Sequence, residues 1–289
     1  GQRQGVHKLG KLVDVTLIPG LGRVDVRDDG AVSIGGAGRL AQLATATGTG
    51  YDGVIADTVR RIASPQVREM ATVGGNLCQE KRCWFYRSDF MCYKRGGVTC
   101  PCYAIEGDPR FFHAAVGAHR CQAVTPSDLA TTFTALDADV VLRSAAGSRT
   151  VPISRFYRGP GETILANGEI VAEVVLPPSV QSRVSVFEKL DLYTGDFAIV
   201  SACVSVCFSD VGGIADARVV VGSIAPTPLR LTEVERELVR RRPADPGQVA
   251  ALASSWLGRG HPLPRNEWKL DAAAGLVQRA LERCLGMTS

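Results

Sequence analysis

A chain of 289 residues with 45% apolar and 21% charged side chains can bury the cores of two ordinary domains, which excludes a disordered or fibrous protein. Its formal net charge of +4 comes from interspersed positive and negative residues, with no arginine–lysine tract interleaved with aromatics, so no nucleic-acid partner is expected. The longest apolar run, 197–208, contains Ser201 and Ser205 and falls well short of the roughly 20 residues that cross a bilayer, so it predicts buried strand and no membrane span.

The opening GQRQGVHKLGKLVDV has no basic n-region and no apolar h-region, and with so many thiols further on the expected compartment is a reducing cytoplasm. Residues 11–15 predict a short strand closed by Ile18-Pro19-Gly20, and 24–26 with 31–34 flank Asp28-Asp29-Gly30 as a hairpin. Helix is predicted over 40–46 and 57–62, with Val54, Ile55, Val59 and Ile62 near one face. Ser64-Pro65 is read as ending that helix and opening an extended approach to Thr72-Val73-Gly74-Gly75-Asn76. Farther on, Thr125-Pro126-Ser127-Asp128 predicts a helix start, with Leu129, Phe133 and Leu136 at helical spacing behind it. Strands are expected at 138–143, 149–153 and 169–176, and Pro177-Pro178 marks the domain boundary. Three β-rich segments, 184–189, 197–208 and 215–225, precede helices at 231–240, 246–257 and 271–285. The expected fold is therefore α+β in two domains, 1–178 and 179–289, with a cysteine-rich insertion at 78–121.

The chemistry concentrates at 70–121. Gly74 and Gly75, side by side without Cβ atoms, let successive backbone N–H groups face one concavity suited to a phosphate or a flavin oxygen, although such a pair alone more commonly makes a tight turn. Ile34-Gly35-Gly36-Ala37-Gly38 lacks GxGxxG spacing and reads as a plain strand end. Six of the nine cysteines lie here: Cys78, Cys83, Cys92, Cys100, Cys102 and Cys121. Cys83, Cys92, Cys102 and Cys121 punctuate a long segment rich in glycine and proline that is hard to order without something at its centre. Four soft thiolates suit an iron–sulfur cluster or zinc. Cys203, Cys207 and Cys284, on apolar segments, read as buried small hydrophobes. His113 and His119 are candidate ligands or hydrogen-bond donors to ligands, although packed or exposed histidines are commoner; His7 and His261 have no chemistry around them. No Ser/His/Asp set or supported carboxylate pair is present, so hydrolytic catalysis is not expected.

On these residues the chain resembles the FAD-binding subunits of the molybdenum hydroxylases, the group of xanthine dehydrogenase, aldehyde oxidoreductase, carbon monoxide dehydrogenase and 4-hydroxybenzoyl-CoA reductase. The likeness runs through LVDVTLIPGL, SPQVREMATVGGNL, TPSDLATTFTALDADV, FEKLDLYTGDFAIVSACVSV, GSIAPTPLR and RNEWKLDAAAGLVQRAL. It implies a PCMH-type FAD-binding domain, without the first βαβ subdomain and its glycine-rich loop, followed by a domain like the C-terminal one of the CO dehydrogenase flavoprotein. Thr72, Gly74, Gly75 and Asn76 would then lie against the FAD pyrophosphate and ribityl chain, Asp128 would accept hydrogen bonds from the cofactor, Val171 would pack near the isoalloxazine ring, and Lys189 would neutralise charge near the flavin. Asp128 also suits a helix cap, and Lys189 a solvated strand-end charge.

The insertion is similar to the loop that holds an extra 4Fe-4S cluster in flavin subunits of 4-hydroxybenzoyl-CoA reductase and of periplasmic aldehyde oxidoreductases. That implies Cys83, Cys92, Cys102 and Cys121 as ligands, with Cys102 favoured over Cys100 because it precedes Tyr-Ala-Ile-Glu-Gly. The implied protein is the FAD-containing electron-transfer subunit of an oxidoreductase heterotrimer. Its partners would be a large molybdenum-cofactor subunit and a small 2Fe-2S subunit, and it would have no catalytic acid, base or nucleophile of its own. Export with a signal-bearing partner would make it periplasmic. Two rival readings are a flavin-free iron–sulfur scaffold subunit and a zinc-stapled binding module.

Overall fold

The computed structural model of the chain describes residues 13–45 and 52–287. Strands β1 (Val24–Val26), β2 (Val32–Gly35), β3 (Asp139–Ser144), β4 (Gly147–Pro152) and β7 (Ile170–Leu176) build a first antiparallel sheet in the order β1-β2-β7-β3-β4, with a small ribbon of β5 (Tyr157–Gly159) and β6 (Glu162–Thr163) beside it. Strands β8 (Arg183–Leu190), β9 (Val200–Phe208), β10 (Ile214–Gly222) and β11 (Leu229–Arg230) build the second, ordered β11-β10-β9-β8.

Helices α1 (Leu40–Thr45), α2 (Asp52–Arg60), α3 (Pro65–Met70), α4 (Val73–Leu77), α5 (Trp84–Arg87), α6 (Tyr93–Gly96) and α7 (Asp128–Ala135) belong to the first half. Helices α8 (Thr232–Arg240), α9 (Pro246–Ser254) and α10 (Trp268–Leu285) cover the second sheet. Every residue of α7 is buried, because the helix packs on α2 and on strands β9 and β10 of the second sheet. One core consequently runs from Val140, Val174 and Phe156 through Leu129 and Phe133 to Phe187, Cys203 and Val220. The opposite face of the second sheet buries Val204, Val219 and Val221 against Trp256, Val277 and Leu281. Strand β9 is thus covered on both faces, which is why small Ser and Cys side chains alternate with Val and Ala along it and no charged residue interrupts it.

The expected α+β architecture is borne out, with local departures. Residues 11, 12 and 46 lie outside the described ones, and 13–15 form no strand. Helix α2 starts earlier than the periodicity indicated. Ser64-Pro65 does not open an extended segment: the Ser64 hydroxyl accepts from the Val67 N–H at 3.4 Å, and Pro65 sits in the first turn, where its missing N–H costs nothing. Helix α10 begins at Trp268, ahead of the apolar spacing, and its first turn buries Lys269, a residue ordinarily left in water. Among the described residues no helix is long and apolar enough to cross a membrane.

Candidate cofactor cleft and cysteine pocket

Thr72 caps α4 by accepting from the Gly75 N–H at 3.1 Å, so the Gly-Gly pair makes a helical turn where a tight turn or open nest was expected. That turn is pinned from behind: the Val73 N–H donates to the Gly38 carbonyl at 2.9 Å and the Gly74 N–H to the Gly36 carbonyl at 2.8 Å. A β carbon at Gly36 would collide with the Val171 carbonyl, and one at Gly74 would stand 3.0 Å from the Gly36 oxygen. Three backbone segments stack here at a separation only glycine permits. The supposed plain strand end is therefore the support of the wall. Gly74 is buried within it and Val171 stands behind it, whereas Thr72, Gly75 and Asn76 line a cleft of about 500 Å³.

The facing wall comes from Pro126, Asp128, Lys189, Tyr193, Asp196 and Phe197. Ser127, not Asp128, caps α7, accepting from the Ala130 N–H at 3.0 Å while donating to Asn76 Oδ1 at 2.7 Å. Asp128 is released from capping, and its Oδ2 accepts from Lys189 Nζ at 2.9 Å; the two side chains are 5% and 2% exposed. Lys189, far from a solvated charge, also donates to the Arg61 carbonyl at 2.8 Å. Burial pushes the Asp128 carboxyl up and the Lys189 charge opposes it. Its Oδ1 is buried without a hydrogen-bond partner.

Arg82 completes this wall, a role sequence reasoning missed. Its guanidinium carbon lies 3.9 Å from the centre of the Phe197 ring, and its Nη2 donates to Gln79 Oε1 at 3.0 Å. Burial lowers its pKa to about 10, and its Nε is buried and unpartnered. The one available signal was a basic residue directly before Cys83.

Residues 78–127 carry little regular structure beyond the single turns α5 and α6. Even so, Cys83, Cys92, Cys102 and Cys121 line one small pocket, together with Lys81, Lys94 and an aromatic wall of Phe85, Tyr86 and Tyr103. Cys100 is not on that pocket and packs against Gly96, and Cys78 is exposed. All nine cysteines are free of disulfides. Burial raises Cys83 to about 12 and raises Cys121 as well, so in the absence of metal both carry their protons. His113 is buried, with Nε2 3.2 Å from Cys83 Sγ, while His119 is exposed. Among the described residues no three His, Cys, Asp or Glu side chains converge closely enough to hold a single metal ion.

Residues 2–179 match the model of the FAD binding domain in molybdopterin dehydrogenase, and residues 185–284 that of the CO dehydrogenase flavoprotein C-terminal domain. The aldehyde oxidoreductase FAD-binding subunit PaoB of Escherichia coli (strain K12) is 32% identical over 269 residues, covering 90% of this chain and 80% of that protein. The xanthine dehydrogenase FAD-binding subunit of Escherichia coli O157:H7 is 25% identical, covering 89% of this chain and 73% of that protein. Among solved structures, carbon monoxide dehydrogenase from Hydrogenophaga pseudoflava superposes with a TM-score of 0.71 at 22% identity, over 94% of this chain and 80% of that one, a likeness of fold.

Proposed function

We propose that this chain, which belongs to the FAD-binding family of the molybdopterin dehydrogenases, holds FAD in the cleft beside Thr72, Gly75 and Asn76 and a 4Fe-4S cluster among Cys83, Cys92, Cys102 and Cys121. It is the flavoprotein subunit of a molybdenum hydroxylase complex, an oxidoreductase component whose work is to place and tune redox centres. Its domains divide at Pro177-Pro178, between the last strand of the first sheet and the first strand of the second.

The observation that carries the flavin reading is a pair of buried, unpartnered polar atoms on residues that line one cleft: the acceptor Asp128 Oδ1 and the donor Arg82 Nε. A buried polar group normally has a partner, so the cleft suits a ligand that offers both hydroxyl donors and oxygen acceptors. FAD has both, and when bound it supplies the exchange between one- and two-electron transfer. Thr72 and Gly75 keep the wall low enough for close approach, and Ser127 holds the Asn76 amide in place. The Lys189 charge opposes the upward push of burial on the Asp128 carboxyl and so favours its acceptor form. No acid, base or nucleophile is needed from these residues. Gly74 and Val171 act through the wall, as its backing.

Support for the cluster is the shared pocket. A lone zinc ion needs all four sulfurs at about 2.3 Å, a convergence these side chains do not make, whereas a cluster spreads its thiolates over several irons. The pocket has only about 10 Å³ of free volume, so cluster binding is coupled to movement of its walls and to loss of the thiol protons. The partners are a large subunit carrying the molybdenum cofactor and a small subunit with 2Fe-2S clusters, between which and the external acceptor the flavin relays electrons. Unpaired thiols favour the cytoplasm.

Flavin, iron and sulfide analysis of the protein purified with its partners tests both halves. The expected result is one FAD and about four irons and four sulfides per chain. Iron without flavin would sink the FAD assignment in favour of a scaffold subunit. A colourless protein with tightly held zinc would sink both.

A further inference from the structure

We propose that His113, Lys81 and Lys94 raise the reduction potential of the cluster, so that it works as an electron relay and does more than order its loop; this rests on the cluster reading above. His113 lies fully buried on the bridge that pairs it with Ala123, next to the Cys121 turn. Its Nε2 is 3.2 Å from Cys83 Sγ. A metal-bound thiolate has no hydrogen to donate, so this contact is favourable only with the proton on Nε2, making the imidazole the donor. Nδ1 makes no hydrogen bond of normal geometry, so the contact at Nε2 is the one that orients the ring toward the pocket. The ring is also held in place, with Trp84 and Phe85 at 5.7 and 6.1 Å between centroids. The buried Lys269 Nζ fixes the backbone by donating to the His113 carbonyl at 2.8 Å.

Lys81 and Lys94 supply charge. Both line the cysteine pocket, with side chains 5% and 15% exposed. Lys81 sits 3.7 Å above the Tyr86 ring. Each has a carboxylate partner, Glu80 and Glu162, but those are 36% and 49% exposed, on the solvent side. Water screens the carboxylates, while the aromatic wall leaves the ammonium field on the pocket side poorly screened. A four-thiolate cluster is an anion that gains one more negative charge on one-electron reduction, with no bond or proton changing place. Burial alone makes that reduction harder; nearby cations and an N–H···S donor favour the reduced form.

The test is an EPR-monitored redox titration of the complex containing full-length chain, comparing wild type with His113→Phe, which keeps the ring packing but loses the N–H, and with Lys94→Gln. Each variant should retain its iron and sulfide and titrate at a lower potential. The expected shift is at least a tenfold change in the oxidised-to-reduced ratio at fixed potential, or about 59 mV for one electron. Unchanged midpoints in variants that keep their clusters would overturn the inference while leaving the cluster reading intact. Absence of iron from the wild type would remove the cluster reading itself. Should His113→Phe lose its iron, Lys94→Gln decides alone, since that side chain reaches the surface at Glu162 and its loss leaves no cavity in the core.

Discussion

The cofactor cleft and the cysteine pocket lie next to each other in the chain, with Arg82 on one and Cys83 on the other, yet they are built in opposite ways. The cleft is assembled from ends of regular elements: a helical turn clamped to a strand end, a wholly buried helix, and a strand of the second sheet that delivers Lys189. Its polar side chains are already held in place, with Asp128 Oδ1 and Arg82 Nε left unpartnered. The pocket is assembled from loop, tied to the rest of the protein through the His113–Ala123 bridge, the bond from the Ala115 N–H to the Ile224 carbonyl, and Lys269, whose Nζ donates to the Phe111, His113 and Ser223 carbonyls. One site is prepared by the fold; the other is completed by what it binds, so that metal affinity there is also folding energy.

The sharpest way to break this contrast is Cys83→Ser. Iron content should fall by roughly tenfold or more and amides across 78–121 should exchange faster, while flavin content stays at the wild-type level. Joint loss of flavin would mean that the loop shapes the cleft, and the two sites would no longer be separable. Next in size is Lys189→Met, which strands the Asp128 carboxylate in a buried site and should cost about 3–5 kcal/mol in urea unfolding. A change below about 1 kcal/mol would show that the pair does not hold the cleft together.

Gly36→Ala should be milder, about 1–3 kcal/mol, because the added methyl must push back the Val171 and Ala172 backbone, and with it the support of the α4 turn. Flavin affinity, followed by fluorescence quenching, should weaken while iron stays constant. The reverse pattern would place the glycine support under the wrong site. The smallest effect is expected from Arg149→Gln, remote from both sites. Arg149 binds the Glu169 carboxylate through two nitrogens at 2.7 and 2.8 Å and holds its pKa down to about 2 from 4.5. A lowered carboxyl pKa stabilises above the unfolded value and is lost as the pH falls through the folded one. The variant's small deficit in melting temperature at pH 6 should therefore vanish near pH 2, with cofactor content unchanged throughout.

Much of this was legible in the linear sequence, for reasons of short range. The hairpin around Asp28-Asp29-Gly30, the helix start at 125–128 and the buried strand within 197–208 all follow from turn chemistry or periodicity over a few residues, whereas the choice of Cys102 over Cys100 came from the family resemblance. Tertiary structure decided the rest, because it depends on which distant groups share a low-dielectric space. Ser127 took the cap and freed Asp128 for a lysine 61 positions away. Gly36 became the backing of α4 only when Val171 arrived on the neighbouring strand. Of two loop histidines, packing against Trp84 and Phe85 brought His113 to a cysteine sulfur and left His119 in water. Local sterics can be read residue by residue, but the pairing of buried charges and donors exists only once the chain has closed on itself.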